Sequence, residues 1–254
     1  MMTEEELTGR ISETGKYRDL CRDIVLREVR EAAAKYGMKE AEKHARTRLH
    51  ALTDAFITHD EMLRIRKLLP LSDDQEVFEK LLMLHASTRE RMPLSSMREM
   101  YDKIFAVTGI PENVLDLGCG LNPVVLASMG IECTGIDANR ALMECIDGFR
   151  EKVHTYSADL MDPANVPAGP YDTVLVLKLI PLFETERRGL GKALLERADF
   201  RHAVVSYPTR SLGGQNRGMV EHYTRMMDDV LPQKAYIERS FVHGSELFFI
   251  LGRK

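Results

Sequence analysis

From about residue 110 onward, apolar runs alternate with helix-patterned stretches, and this alternation constrains the fold more than any other feature of the chain. NVLDLGCG, IECTGIDA, VHTYSADL, YDTVLVLKLIPL and HAVVSYP read as five successive strands. Continuous apolar runs spaced by helices suit parallel strands covered on both faces. The closing stretch, YIERSFVHGSELFFILGRK, reads as two strands about a His-Gly turn. That turn is too short for a parallel crossover, so the last pair is antiparallel. The expected fold class is α/β, with a mostly parallel seven-stranded sheet closed by a hairpin.

The first 105 residues follow another rhythm, with helical periodicity and almost no glycine. YRDLCRDIVLREVREAAAKYG closes on Gly37, and KEAEKHARTRLHALTDAF follows. VFEKLLMLHASTRERM reads as one helix, and SSMREMYDKIFAVTG as another that opens on a serine cap and stops at Gly109. Two domains are expected: a helical one over residues 1–105 and an α/β one over 106–254. No apolar run approaches the roughly 20 residues of a membrane span, and MMTEEELTGR lacks the pattern of a secretion signal. A cytoplasmic monomer without membrane or DNA partners is expected. Cys21, Cys119, Cys133 and Cys145 form no CxxC pair and no His/Cys metal spacing, so no metal is expected.

Net charge is −4, yet it is uneven. Lys35, Lys39, Lys43, Arg46 and Arg48 crowd one stretch, and Arg197, Arg201, Arg210, Arg217 and Arg225 another. A local basic face on an acidic protein suits a polyanion.

The strand ends carry the chemistry. VLDLGCGLNP stops a buried strand in Gly118 and Gly120, where the backbone can approach a ligand with no Cβ in the way. The third glycine of the dinucleotide fingerprint is missing, which disfavours a dinucleotide. Asp116-x-Gly118-x-Gly120 resembles the glycine loop that cradles the methionine part of S-adenosylmethionine in class I methyltransferases, which share a Rossmann-like sheet. Asp137 closes the second strand, where a carboxylate can accept from both ribose hydroxyls. Asp159, after the third strand, is placed to accept from an adenine amino group, with Leu160 against the ring.

LLMLHASTRERMP, VLDLGCGLNP, VLKLIPLFE, VVSYPTRSLGG…RGM and GSELFFI resemble the aminoglycoside-resistance 16S rRNA methyltransferases of the Arm/Rmt type, nearly end to end. The resemblance implies methyl transfer from S-adenosylmethionine to N7 of guanine 1405 in the assembled 30S subunit. It implies that the loop around Gly118 and Gly120 contacts the methionine part, and that Arg89 pairs with the cofactor carboxylate. His85 lies four residues earlier, on the same face of one continuous helix. Asp137 is implied as the ribose ligand, Asp159 and Leu160 as the adenine contact, and Leu177 and Lys178 as the strand end beneath the methyl group. Phe56 is implied as an aromatic that helps close the cofactor pocket. Gly118 stands where several relatives have alanine, and Glu186 where a glutamine is common.

Guanine N7 carries a lone pair and no proton, so no catalytic acid or base is expected; positioning suffices. Arg210 and Arg217, with Gly213 and Gly214 between them, form a lip able to close on a flipped guanine and its phosphates. Lys43, Arg46 and Arg48 would dock the rRNA through its phosphates. Two other readings compete: a methyltransferase of a small molecule, and a non-catalytic S-adenosylmethionine-binding protein at the decoding site.

Overall fold

The computed structural model describes residues 2–53, 57–209 and 218–254. Among the described residues, seven α-helices precede the first strand: α1 (Glu4–Ser12), α2 (Arg22–Tyr36), α3 (Met38–Thr53), α4 (His59–Leu68), α5 (Gln75–Leu82), α6 (Ala86–Arg89) and α7 (Leu94–Thr108). Then come β1 (Asn113–Leu117), α8 (Asn122–Ser128), β2 (Glu132–Asp137), α9 (Arg140–Ile146), β3 (Val153–Ser157) and β4 (Tyr171–Leu177). The chain continues with α10 (Ile180–Glu186), α11 (Leu190–Arg197), β5 (Phe200–Pro208), α12 (Met219–Val230), β6 (Ala235–His243) and β7 (Glu246–Arg253). No helix among the described residues is long and apolar enough to cross a membrane.

The helix starts follow local chemistry. Thr3 with Glu6 and Thr58 with Glu61 make reciprocal capping boxes for α1 and α4. Gly37 ends α2 at φ 80° and Gly109 ends α7 at φ 74°, a conformation that costs glycine nothing. Two expected helices differ. The stretch 77–92 is not one helix: α5 stops at Leu82 and a four-residue turn, α6, begins after an extended His85. Buried Thr88 donates back to the carbonyl of Leu82 and holds the break. Helix α7 begins at Leu94 behind Pro93, without a serine cap, because burial of Leu94 and Met97 draws the first turn inward.

The sheet order is β3-β2-β1-β4-β5-β7-β6. The first five strands pair in parallel, and β7 runs antiparallel to both β5 and β6. Side chains alternate across it. Val174 and Val176 pack with α10, α11 and α12 on one face. Leu175, Val114 and Cys133 pack with α4, α5, α7, α8 and α9 on the other. The YDTVLVLKLIPL run is a strand only to Leu177; Pro181 sits in the first turn of α10, where its missing N–H is no loss.

The hydrophobic cores do not divide at residue 105. Helices α4, α5 and α7 share the core of the sheet, whereas α1 to α3 close around Leu7, Ile11, Val25, Val29, Ala41, Ala45 and Leu49. Main-chain contacts tie this smaller core to the loop after β2. The Cys21 amide donates to the Ala138 carbonyl at 2.8 Å, and Leu20 bridges Asn139 in the loop after β2.

Candidate active site

Strand order reverses between β1 and β4, and a cavity of about 700 Å³ opens outside the carboxyl ends of these strands. This is the crevice where open α/β sheets bind ligands. Its floor is the β1 and β4 ends, its far wall the β2 and β3 ends, and its roof α2, with Leu20, Ile24 and Arg27.

The glycine loop makes the floor. Gly118 has φ 72°, and a Cβ there would lie 3.0 Å from the Leu179 side chain. Gly120 has φ 52°, and a Cβ there would overlap the His85 ring and the Ser87 hydroxyl. The Gly120 amide donates to Asp137 at 3.0 Å, and the Asn139 amide donates to the other oxygen of the same carboxylate. Beneath the loop, Tyr101 donates to Asn122, and Asn122 donates to Asp116, both at 2.6 Å. Burial pushes the Asp116 carboxyl up to about 7, against the pull of Asn122 and Arg91. Burial likewise raises the Cys119 and Cys133 thiols, which favours the neutral, unreactive form.

Of the expected cofactor residues, His85, Gly118, Asp137, Asp159, Leu160, Leu177 and Lys178 line the cavity. Arg89 and Gly120 are not on its lining: Arg89 points to Glu61 at 3.2 Å and is 43% exposed, and Gly120 lies behind the His85 ring. His85 caps α6 instead of sharing a helical face with Arg89, its Nδ1 accepting from the Ser87 amide at 3.2 Å. Burial lowers its pKa, so a neutral imidazole suits that acceptor role. Phe56, Arg210 and Arg217, with Gly213 and Gly214, lie outside the described residues.

Lys178 is the residue after β4 and has φ 58°, left-handed and uncommon for a non-glycine side chain. Its amide donates to the Ser206 carbonyl and hydroxyl, and its ammonium reaches Glu90 at 2.5 Å and Glu246 at 3.7 Å. Strain of this kind persists where surrounding contacts over-determine it. Tyr207, by contrast, is a core residue, stacked on Tyr223 and bonded to Met227.

The basic stretch is less free than its composition suggests. Lys43 is exposed. Arg46 is tied to Glu42 at 3.0 Å and lies over the Tyr17 ring. Arg48 is held by Glu28, by Glu31 at 3.3 Å and by Glu186 at 3.1 Å, and it lines the cavity. Acids on neighbouring turns and helices thus already pair with Arg46 and Arg48, the two arginines expected to meet phosphate.

Sequence reasoning missed Arg27, Glu28, Glu90, Arg91 and Glu246. A signal existed for two of them. Glu28 falls on the apolar face of α2, among Ile24, Val25, Val29 and Ala32, and Glu246 is a lone acid opening an apolar strand. A charge in such a place needs a buried partner.

Comparison with known proteins agrees with this architecture. The profile of a family described as "Ribosomal RNA methyltransferase (FmrO)" matches residues 13–248. A Serratia marcescens protein named 16S rRNA (guanine(1405)-N(7))-methyltransferase is 37% identical over 240 residues, covering 93% of each chain. A Proteus mirabilis protein of the same name is 28% identical over 98% of this chain and 97% of its own. The crystal structure of the 16S rRNA methyltransferase RmtF in complex with S-adenosyl-L-homocysteine superposes with a TM-score of 0.88 at 32% identity, over the whole of both chains. The 16S rRNA methylase RmtB superposes with a TM-score of 0.86, also at 32% identity and full coverage. The chain thus belongs to the FmrO family of ribosomal RNA methyltransferases.

Proposed function

We propose that this protein transfers a methyl group from S-adenosylmethionine to N7 of guanine 1405 of 16S rRNA and thereby confers aminoglycoside resistance. The observation that carries the reading is the 37% identity, over 93% of both chains, to the Serratia enzyme named for that reaction.

The cavity residues fit the cofactor. Gly118, at positive φ, turns the backbone of the β1 end onto the cavity wall. Asp137 and Asp159 supply acceptors for hydroxyl and amino donors, and Leu160 and Leu177 supply apolar wall. A volume of about 700 Å³ lies within the usual range for a cofactor site. In this reading Asp137 holds the ribose, Asp159 and Leu160 the adenine, and the Gly118 loop the methionine part. Arg89 exchanges Glu61 for the cofactor carboxylate in the same reading.

When bound, S-adenosylmethionine supplies an electrophilic methyl group. The chain's own task is to orient the purine, exclude water and hold no proton in transit, since N7 gives none up. Alignment of this kind supplies several kcal/mol. Lys178 and Glu90 line the cavity at the β4 end, and in this reading the purine enters beside them.

The substrate particle is the 30S subunit, docked by the helical residues 1–105 with Lys43 among the phosphate contacts, while residues 106–254 carry the chemistry. The enzyme acts as a cytoplasmic monomer. Mass mapping of 16S rRNA from a susceptible host expressing the protein tests the reaction. One added methyl on guanine 1405, with resistance to gentamicin-type drugs, is expected; an unmodified guanine in resistant cells refutes it.

A further inference from the structure

We propose that Arg27 is a positioning residue of the adenine end of the cavity: it fixes the Asp159 carboxylate as an acceptor and thereby selects a purine bearing an exocyclic amino group. The inference rests on the reading of the cavity as an S-adenosylmethionine site with Asp159 at its adenine end.

Arg27 comes from α2, far from Asp159 in sequence, and meets it as a fork. Its Nε donates to Oδ2 at 2.6 Å, and its Nη2 faces Oδ1 at 3.5 Å. The Met161 amide donates to Oδ1 at 3.0 Å. Each carboxylate oxygen thus receives a protein donor, which sets the plane of the group, and Oδ2, with a single donor, keeps a lone pair for a ligand. Asp159 is buried, so this plane is not averaged by water.

Arg27 is itself held. Its Nη1 donates to Glu28 at 2.5 Å, and the other oxygen of Glu28, a side chain only 2% exposed, takes the Nε of Arg48. Arg48 ends on Glu186 of α10. The chain Asp159–Arg27–Glu28–Arg48–Glu186 spans the cavity roof, and all five residues line the cavity. Burial alone would lower the pKa of Arg27; the hydrogen bond and charge of Asp159 more than offset it. The guanidinium stays a donor.

An oriented, acceptor-only carboxylate discriminates. The amino group of adenine donates into it, whereas the 6-oxo group of hypoxanthine sets acceptor against acceptor and leaves buried groups unpaired. Without Arg27, one amide holds the plane and the carboxylate turns away. A mere staple between α2 and the sheet would behave otherwise. It is duplicated by the Cys21–Ala138 and Leu20–Asn139 contacts, and its loss would weaken all ligands alike.

The test is calorimetric titration of the full-length protein with S-adenosylhomocysteine and with S-inosylhomocysteine, its 6-oxo counterpart. Wild type, Arg27→Met and Arg27→Lys are compared, with thermal midpoints as the folding check. Wild type should prefer the adenosyl ligand at least about tenfold. Arg27→Met should weaken that ligand about tenfold and shrink the preference below about threefold, and Arg27→Lys, keeping one donor, should recover part of it. Equal loss for both ligands, or no loss, overturns the assignment. If Arg27→Met does not fold, Asp159→Asn, which presents a donor and an acceptor, should bring the two ligands within about threefold, and an unchanged preference overturns the assignment. Failure of wild type to bind S-adenosylhomocysteine would instead overturn the cofactor reading, and this inference with it.

Discussion

The guanidinium of Arg91 and the carboxylate of Glu246 meet as a two-pronged pair at 2.8 and 3.0 Å, bringing the end of the HASTRER segment onto the first residue of β7. Both side chains are about 5% exposed, and Ser206 donates to the same carboxylate at 2.7 Å. Burial would raise the Glu246 carboxyl; Arg91 overrules it, and the group stays below its ordinary range. Breaking such a pair by removing one partner leaves an uncompensated buried charge. Arg91→Met should therefore cost about 3–5 kcal/mol, and the double change Arg91→Met with Glu246→Leu distinctly less. Urea unfolding of the three variants at neutral pH measures both.

Asp116 gives the protein a pH signature of the opposite sign. Its carboxyl titrates near 7 when folded, because burial disfavours the charge, and near the ordinary carboxylate value when unfolded. Between about pH 4 and 7 the folded chain holds a proton that the unfolded chain has released, so this group's contribution to stability falls as pH rises. Asp116→Asn, which keeps an acceptor for Asn122, should flatten that fall. Urea midpoints of the variant and wild type, taken from pH 5 to 8, should diverge in favour of the variant at the upper end.

The two loop glycines should differ sharply. At Gly118 an added methyl meets only the movable Leu179 side chain, and the backbone cost is about 1 kcal/mol. At Gly120 it meets the His85 ring, which is pinned by Ser87. Gly118→Ala should keep S-adenosylhomocysteine affinity within about threefold, while Gly120→Ala should lose it by tenfold or more. Titration of both variants checks the contrast.

How far the sequence predicts this architecture depends on which interaction decides each feature. The parallel sheet, the closing hairpin, the glycine turn and Asp137 are legible because strand period and strand-end chemistry are local. The break before His85 and the capture of Arg48 are not legible. The first turns on one hydroxyl, Thr88, bonding to the Leu82 carbonyl, and the second on Glu186 of α10 arriving beside α3. Charge counted along the chain cannot separate Lys43, which has no acid partner among the described residues, from a cation already matched by a distant acid.

That distinction predicts a split among the basic residues. Lys43→Glu should weaken binding to 30S particles and reduce its salt dependence, leaving S-adenosylhomocysteine affinity unchanged. Arg48→Glu sets a like charge against Glu28, Glu31 and Glu186 over the cavity, so it should weaken both. Filter binding of 30S at several salt concentrations, beside titration with the cofactor product, separates the two.

The most direct test of methyl transfer without acid–base chemistry uses purified 30S subunits and label-bearing S-adenosylmethionine. The enzyme should place one labelled methyl per particle on N7 of guanine 1405. Label on another nucleotide, or none in a preparation that binds the cofactor, would contradict it.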